Sequence, residues 1–213
     1  MENTESSPHS LVGTLFATLI VLIAGIWIFL VSTLQGQALT TEALRQAELN
    51  EQPKKMPTLM LVDASNQARD ISQLSSDQRV LIVDFIYTRC QTVCLSLGSV
   101  FQALQAKIIE LGLEKKIGLV SISFDPLNDD SQALQRYETR MQMQPEIWRA
   151  YSLKNPNDRQ LLLDAFGIMV IPAPLDEFEH NAALHLLKGE YLLRIFPLEK
   201  SDEALLHAQA LGR

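Results

Sequence analysis

Cysteine is scarce in this chain: Cys90 and Cys94 are the two among 213 residues. Two cysteines cannot build a disulfide scaffold, so a close pair means redox chemistry, metal binding or one local bridge. A basic stripe is missing as well. Net charge is −7, from 25 acidic against 18 basic residues. No face gathers Lys and Arg, which excludes nucleic acid as the expected partner. The opening MENTESSPHS holds no Lys or Arg. That start lacks the basic region of a cleaved signal peptide and the arginines of a mitochondrial transit peptide. Internal repeats and low-complexity tracts are absent too.

Residues 11–34 lack any charge. A bilayer core takes roughly 20 apolar residues in a helix, so this stretch is long enough to span one. The following QGQALTTEA offers no clear A-x-A cleavage site, and an uncleaved anchor is expected. The chain then divides into a tail at 1–10, a transmembrane anchor at 11–34, a polar stalk at 35–56 and one domain at 57–213. Arg45 is the nearest basic residue, with Lys54 and Lys55 further along. By charge alone this weakly places the domain on the cytoplasmic side.

From Pro57 the pattern becomes α/β. Residues 58–64 read as a short strand, and ARDISQL as a second strand and turn. Residues 79–87, nearly all apolar, read as a strand covered on both faces. Leu97, Phe101, Leu104, Ile108 and Leu111 form one helical stripe, stopped by Gly112. Residues 118–126 read as a further buried strand. Asp129 and Asp130 open an amphipathic helix over DDSQALQRYETRMQMQ. Trp148 falls in a strand or loop, and DRQLLLDAFG is a helix ending at Gly167. Residues 182–188 and 191–196 pair through a Gly189-Glu190 turn. A helix capped by Ser201 ends the chain. Alternating strands and helices with a C-terminal hairpin predict a thioredoxin-like fold, a central mixed sheet flanked by helices. In open sheets of this kind, sites lie at the carboxyl ends of strands.

The cysteine pair occupies such an end. VLIVDFIY feeds a short polar loop that opens a helix. Cysteines four residues apart fall on one face of a helical turn and can meet one atom or each other. The helix N-terminus and Arg89 favour the thiolate, the form that binds metal and the form that reacts.

Three blocks taken in order carry a resemblance. DFIYTRCQTVC resembles an F-x-Y-T-x-C-P-x-x-C-P block, SISFDPLNDD an S-x-D-P-x-x-D block, and EHNAALHLLKGEYLLRIF a D-H-(S/T) block. Together they are similar to the SCO/SenC family of membrane-anchored copper proteins, over about residues 56–196. The resemblance implies a copper site at Cys90, Cys94 and His180, with Asp125 and Asp129 tuning or orienting the ligands. Soft thiolates select Cu(I), with Cu(II) the other oxidation state to consider, and imidazole suits either. Gln91 and Leu95 stand where the family has proline, Glu179 where it has aspartate, and Asn181 where it has serine or threonine.

The resemblance implies a metallochaperone rather than an enzyme. Such a protein delivers Cu(I) to, or assists metallation of, the copper centre of a respiratory terminal oxidase such as cytochrome c oxidase. Its partners would be an upstream copper donor and the receiving oxidase subunit. It would sit in the bacterial inner membrane as a single-pass protein, its domain facing the periplasm, against the weak charge bias. Two other readings stay open: a thiol–disulfide oxidoreductase using Cys90 and Cys94 as its catalytic pair, and a redox or copper sensor. By itself His180, within DEFEH, reads as an exposed loop histidine. His185 lies five residues on; if both share a strand they face opposite ways, and His185 reads as structural. Met141 and Met143 share no helix face, so a thioether pair on copper is not expected.

Overall fold

The structure is a computed structural model describing residues 8–32, 41–75, 78–90, 93–174 and 177–212. Side chains are described at 12–31, 45–49, 51–75, 78–90, 97–174 and 177–212. The chain divides into two compact units, Met1–Glu48 and Leu49–Arg213.

The first unit holds helix α1 (Pro8–Ser32). Its stretch Val12–Val31 is long and apolar enough to cross a membrane. Large apolar side chains such as Leu15, Ile20 and Trp27 stand exposed along it. In water that surface would be strongly unfavourable; in hydrocarbon it is the solvent-matched face. Helix α2 (Thr41–Glu51) runs across the division between the units.

In the second unit, the strands are β1 (Lys54–Lys55), β2 (Met60–Asp63), β3 (Ala68–Asp70), β4 (Val80–Ile86), β5 (Ile117–Ser123), β6 (Trp148–Leu153), β7 (Val170–Ala173), β8 (Glu177–His180), β9 (Ala183–Lys188) and β10 (Tyr191–Pro197). Among the described residues, eight of them pair in the order β1-β10-β9-β4-β5-β6-β2-β3, while β7 and β8 form a separate antiparallel hairpin. Only β4–β5 and β5–β6 are parallel. The sheet is therefore mixed. Every residue of β4 and β5 is buried, as a strand covered on both faces requires.

The cover is visible in the side chains. On one face, Phe101 of α3 (Val93–Glu110) packs on Trp148 with ring centres 5.4 Å apart. Trp148 donates its indole N–H to Ser121 across the sheet at 2.9 Å. On the other face, Phe166 of α5 (Arg159–Phe166) packs on Phe85 and His185 at 4.8 and 5.4 Å. Helix α4 (Ser131–Arg140) is capped by Asp130, which accepts the Ala133 N–H at 2.8 Å. Helix α6 (Ser201–Leu211) buries Ala204, Leu205 and Ala208.

Several expectations are revised. Leu111 lies past the end of α3 and is 55% exposed, because Gly112 takes a left-handed turn there (φ 62°). Helix α4 stops at Arg140, so Met141 and Met143 follow it rather than ride on it. Met141 folds back against Gly98 of α3, where a Cβ would stand 2.5 Å from its sulfur. Ser201 is the first helical residue of α6, not its cap; Lys200 holds the cap position, with no side-chain cap bond. His180 and His185 lie on different strands, β8 and β9.

Candidate functional site

Strand β4 ends at Ile86 and the chain turns through Tyr87, Thr88 and Arg89 to Cys90. The Cys90 N–H donates back to the Tyr87 carbonyl at 3.2 Å. This turn drops the thiol of Cys90 into a buried position, 2% exposed. Cys94 follows in the first turn of α3; its side chain lies outside the described residues. The pair thus stands where a parallel strand gives way to a helix, as the apolar run and polar loop predicted.

The turn is braced from below by Asp129, which is 1% exposed. Its carboxylate accepts the Thr88 N–H at 2.9 Å, the Thr88 hydroxyl at 2.6 Å and the Ser123 hydroxyl. Burial pushes its pKa up, and these hydrogen bonds oppose the rise. Arg140 adds a bond to the Thr88 carbonyl at 2.9 Å. Asp125 does different work: it holds the Arg89 guanidinium at 3.0 Å and accepts the Asn128 amide. Both aspartates therefore bind the loop next to Cys90 rather than the thiol itself.

His180 arrives on the β7–β8 hairpin, which stands off the main sheet. Its ring lies edge-on to Phe124, centres 5.1 Å apart. Nδ1 meets the Asn181 carbonyl at 3.4 Å, which assigns the N–H to Nδ1 and leaves the lone pair on Nε2. Nε2 is buried with no hydrogen-bond partner among the described residues. A buried nitrogen without a partner costs free energy unless something else satisfies it. Burial lowers the pKa of His180, the Asn181 hydrogen bond and the electrostatic field of Cys90 partly offsetting it. Burial thus favours the neutral ring.

A neutral imidazole whose other nitrogen is held by a carbonyl is the form that ligates metal. The open Nε2 of His180 suits an imidazole donor and the buried thiol of Cys90 a soft-metal one. Among the described residues no three His, Cys, Asp or Glu side chains gather as a metal cluster.

Asn181 also ties the hairpin to the end of α5. Its side-chain oxygen accepts the Met169 N–H at 2.7 Å and its amide donates to the Gly167 carbonyl at 3.1 Å. At the other end Arg159 donates to the Phe124 carbonyl at 2.8 Å, and its guanidinium lies over the Phe124 and Phe178 rings. Sequence reasoning missed Tyr87, Glu177 and Arg159, and noted Asn181 only as a departure from the family pattern. One signal was there: VIPA and EFEH, separated by three residues including Pro174, have the makeup of a short hairpin. His185 is fully buried between Phe85 and Phe166, its Nε2 3.2 Å from the Phe166 carbonyl.

Comparison with known proteins bears on the fold and the family. The family model described as SCO1/SenC matches residues 47–209. A curated relative, the SCO1 protein homolog of Bacillus subtilis, is 23% identical over 125 residues, 58% of this chain and 64% of its own length. The matched region thus covers just under two thirds of that relative. A SCO1/SenC family lipoprotein from Bacillus anthracis superposes with a TM-score of 0.67 at 18% identity, over 76% of this chain and 98% of that one. Arabidopsis thaliana ScoI, solved with copper bound, gives a TM-score of 0.62 at 15% identity, over 74% and 99%. Both share the thioredoxin-like arrangement of a mixed sheet flanked by helices. With the family model covering most of the second unit, the chain belongs to the SCO1/SenC family.

Proposed function

We propose that the chain is a membrane-anchored copper-binding protein that delivers Cu(I) to the copper centre of a respiratory terminal oxidase, or assists its metallation. The carrying observation is the buried Nε2 of His180, which has no hydrogen-bond partner among the described residues. Cys90, Cys94 and His180 are the proposed ligands. Two thiolates fix the choice of Cu(I), and the imidazole completes a low-coordinate site open enough to hand the ion on. The copper in the Arabidopsis structure supports this reading by analogy. Asp129 and Asp125 hold the Cys90 loop in place, and Asn181 sets the His180 tautomer. Helix α1 anchors the protein in the bacterial inner membrane, with the second unit in the periplasm. An upstream copper donor and a copper-receiving oxidase subunit are the partners this implies.

The test is Cu(I) stoichiometry and competition affinity of the detergent-solubilised chain under reductant, for wild type, Cys90→Ser, Cys94→Ser and His180→Ala. One Cu(I) should bind wild type. Either serine variant should lose tight binding, and His180→Ala should weaken it. Unchanged affinity in His180→Ala removes His180 from the site and favours a second reading. In that reading Cys90 and Cys94, at a strand end and a helix start, work as a thiol–disulfide pair that reduces partner cysteines. Thiol exchange should survive the loss of His180; a copper carrier should not.

A further inference from the structure

We propose that the Tyr87 hydroxyl is the positioning group that sets the His180 hairpin against Cys90. The inference rests on the ligand reading above and adds a residue to it. Tyr87 follows β4, three residues before Cys90, and is 1% exposed. Its one oxygen meets the hairpin. It accepts the Phe178 N–H at 3.2 Å and donates to the Glu177 carboxylate. The Phe178 carbonyl lies 3.3 Å away. Cys90 is tied to the same residue through its N–H, which donates to the Tyr87 carbonyl at 3.2 Å. Glu177 and Phe178 precede His180 by three and two residues on β8. Their sequence separation from Tyr87 is 90 and 91 residues.

The hairpin has few other anchors at this end. β7 and β8 pair only with each other. Asn181 fastens the base of the hairpin to α5, beyond His180. On the near side the hold is Tyr87 with the rings of Phe124 and Phe178, whose centres lie 5.5 and 5.3 Å from its own, and the Arg159 guanidinium over Phe178. Ring contacts are tolerant of sliding, whereas hydrogen bonds to a single oxygen fix distance and direction. Burial first, and then the bond to Glu177, raise the phenol above its ordinary pKa, so it keeps its proton and stays a donor. A phenylalanine would keep the packing and lose every one of these directional links. The hydroxyl's work is thus to convert a loosely packed hairpin into a placed imidazole.

Tyr87→Phe, His180→Ala and the double variant, each as the full chain in detergent, test this. Under reductant, Tyr87→Phe should weaken Cu(I) binding by about tenfold or more, as loss of a hydrogen bond to a charged group implies. In the His180→Ala background the same change should alter affinity less than about twofold, because nothing remains to be placed. Equal losses in both backgrounds, or no loss in the first, overturn the proposal. A metal-free readout separates it from the copper reading. Histidine ring nitrogen signals of the apo protein should show one His180 tautomer in wild type and an averaged ring in Tyr87→Phe. An unchanged ring signal overturns the proposal whatever copper does. Failure of His180→Ala to affect copper, with the ring signal altered as expected, overturns the ligand assignment and leaves the positioning role standing. Should Tyr87→Phe fail to fold, Glu177→Ala removes the link from the hairpin side and carries the same expectations.

Discussion

Asp84 sits in the middle of β4, fully buried, on the face turned toward α3. Neither carboxylate oxygen has a hydrogen bond of good geometry. Burial is the main cause that raises its pKa from 3.8 to about 7, and Ser121, its partner across the parallel pair, offsets this only in part. The folded state therefore binds a proton that the unfolded chain releases above about pH 4. Stability is full below that pH and is lost as pH climbs through about 7, the reverse of a salt-bridged aspartate. At about 1.36 kcal/mol for each tenfold change in proton affinity, the rise from 3.8 to about 7 corresponds to roughly 4 kcal/mol. For a domain of this size that is a change in Tm on the order of 8–16 °C. Asp84→Asn has the same shape and no proton to lose. Thermal unfolding of the metal-free, reduced chain from pH 4.5 to 8.5 should give two diverging curves, the variant gaining on wild type until about pH 7 and holding its lead above. Any constant offset from the amide is irrelevant, and so are Asp129 and Glu138, whose raised pKa values tilt both curves alike. Parallel curves across this range would refute the argument that burial holds the proton on Asp84.

Asp129→Ala should cost about 1–3 kcal/mol, since it strands the buried Thr88 N–H. It should also speed alkylation of Cys90; an unchanged alkylation rate would mean the brace does not hold the loop. For topology, a periplasmic reporter fused after Arg213 should be active and a cytoplasmic one silent, and release of the chain by an alkaline wash would count against the anchor.

Much of this protein is legible in one dimension. An uncharged run of about 20 residues is long enough to cross a bilayer as a helix, and this length is visible without coordinates. The seven-residue apolar runs of β4 and β5 announce strands covered on both faces, and the 3.6-residue spacing of Leu97, Phe101, Leu104 and Ile108 announces the helix that covers one of them. Cys90 and Cys94 draw notice by their spacing, which is a local property of the sequence. Where a side chain is followed closely by its partner, periodicity and turn chemistry are enough.

What sequence could not deliver is every relation spanning long loops. His180 reads as a loop histidine in an acidic stretch. Only folding places it against Phe124, buries its Nε2 and points Nδ1 at the Asn181 carbonyl. Asp125 and Asp129 look alike in the sequence; packing turns one outward to Arg89 and the other inward to Thr88. Tyr87 reads as the end of a strand, and its bonds to a hairpin 90 residues away have no local signature. Asp84 reads as one polar letter in an apolar word, and its proton is held by the desolvation that both sheet faces impose. Local sequence sets which elements form, because their hydrogen bonds and apolar stripes close within a few residues. The site depends on which buried polar atoms find partners, and that is decided only when distant segments exclude water together.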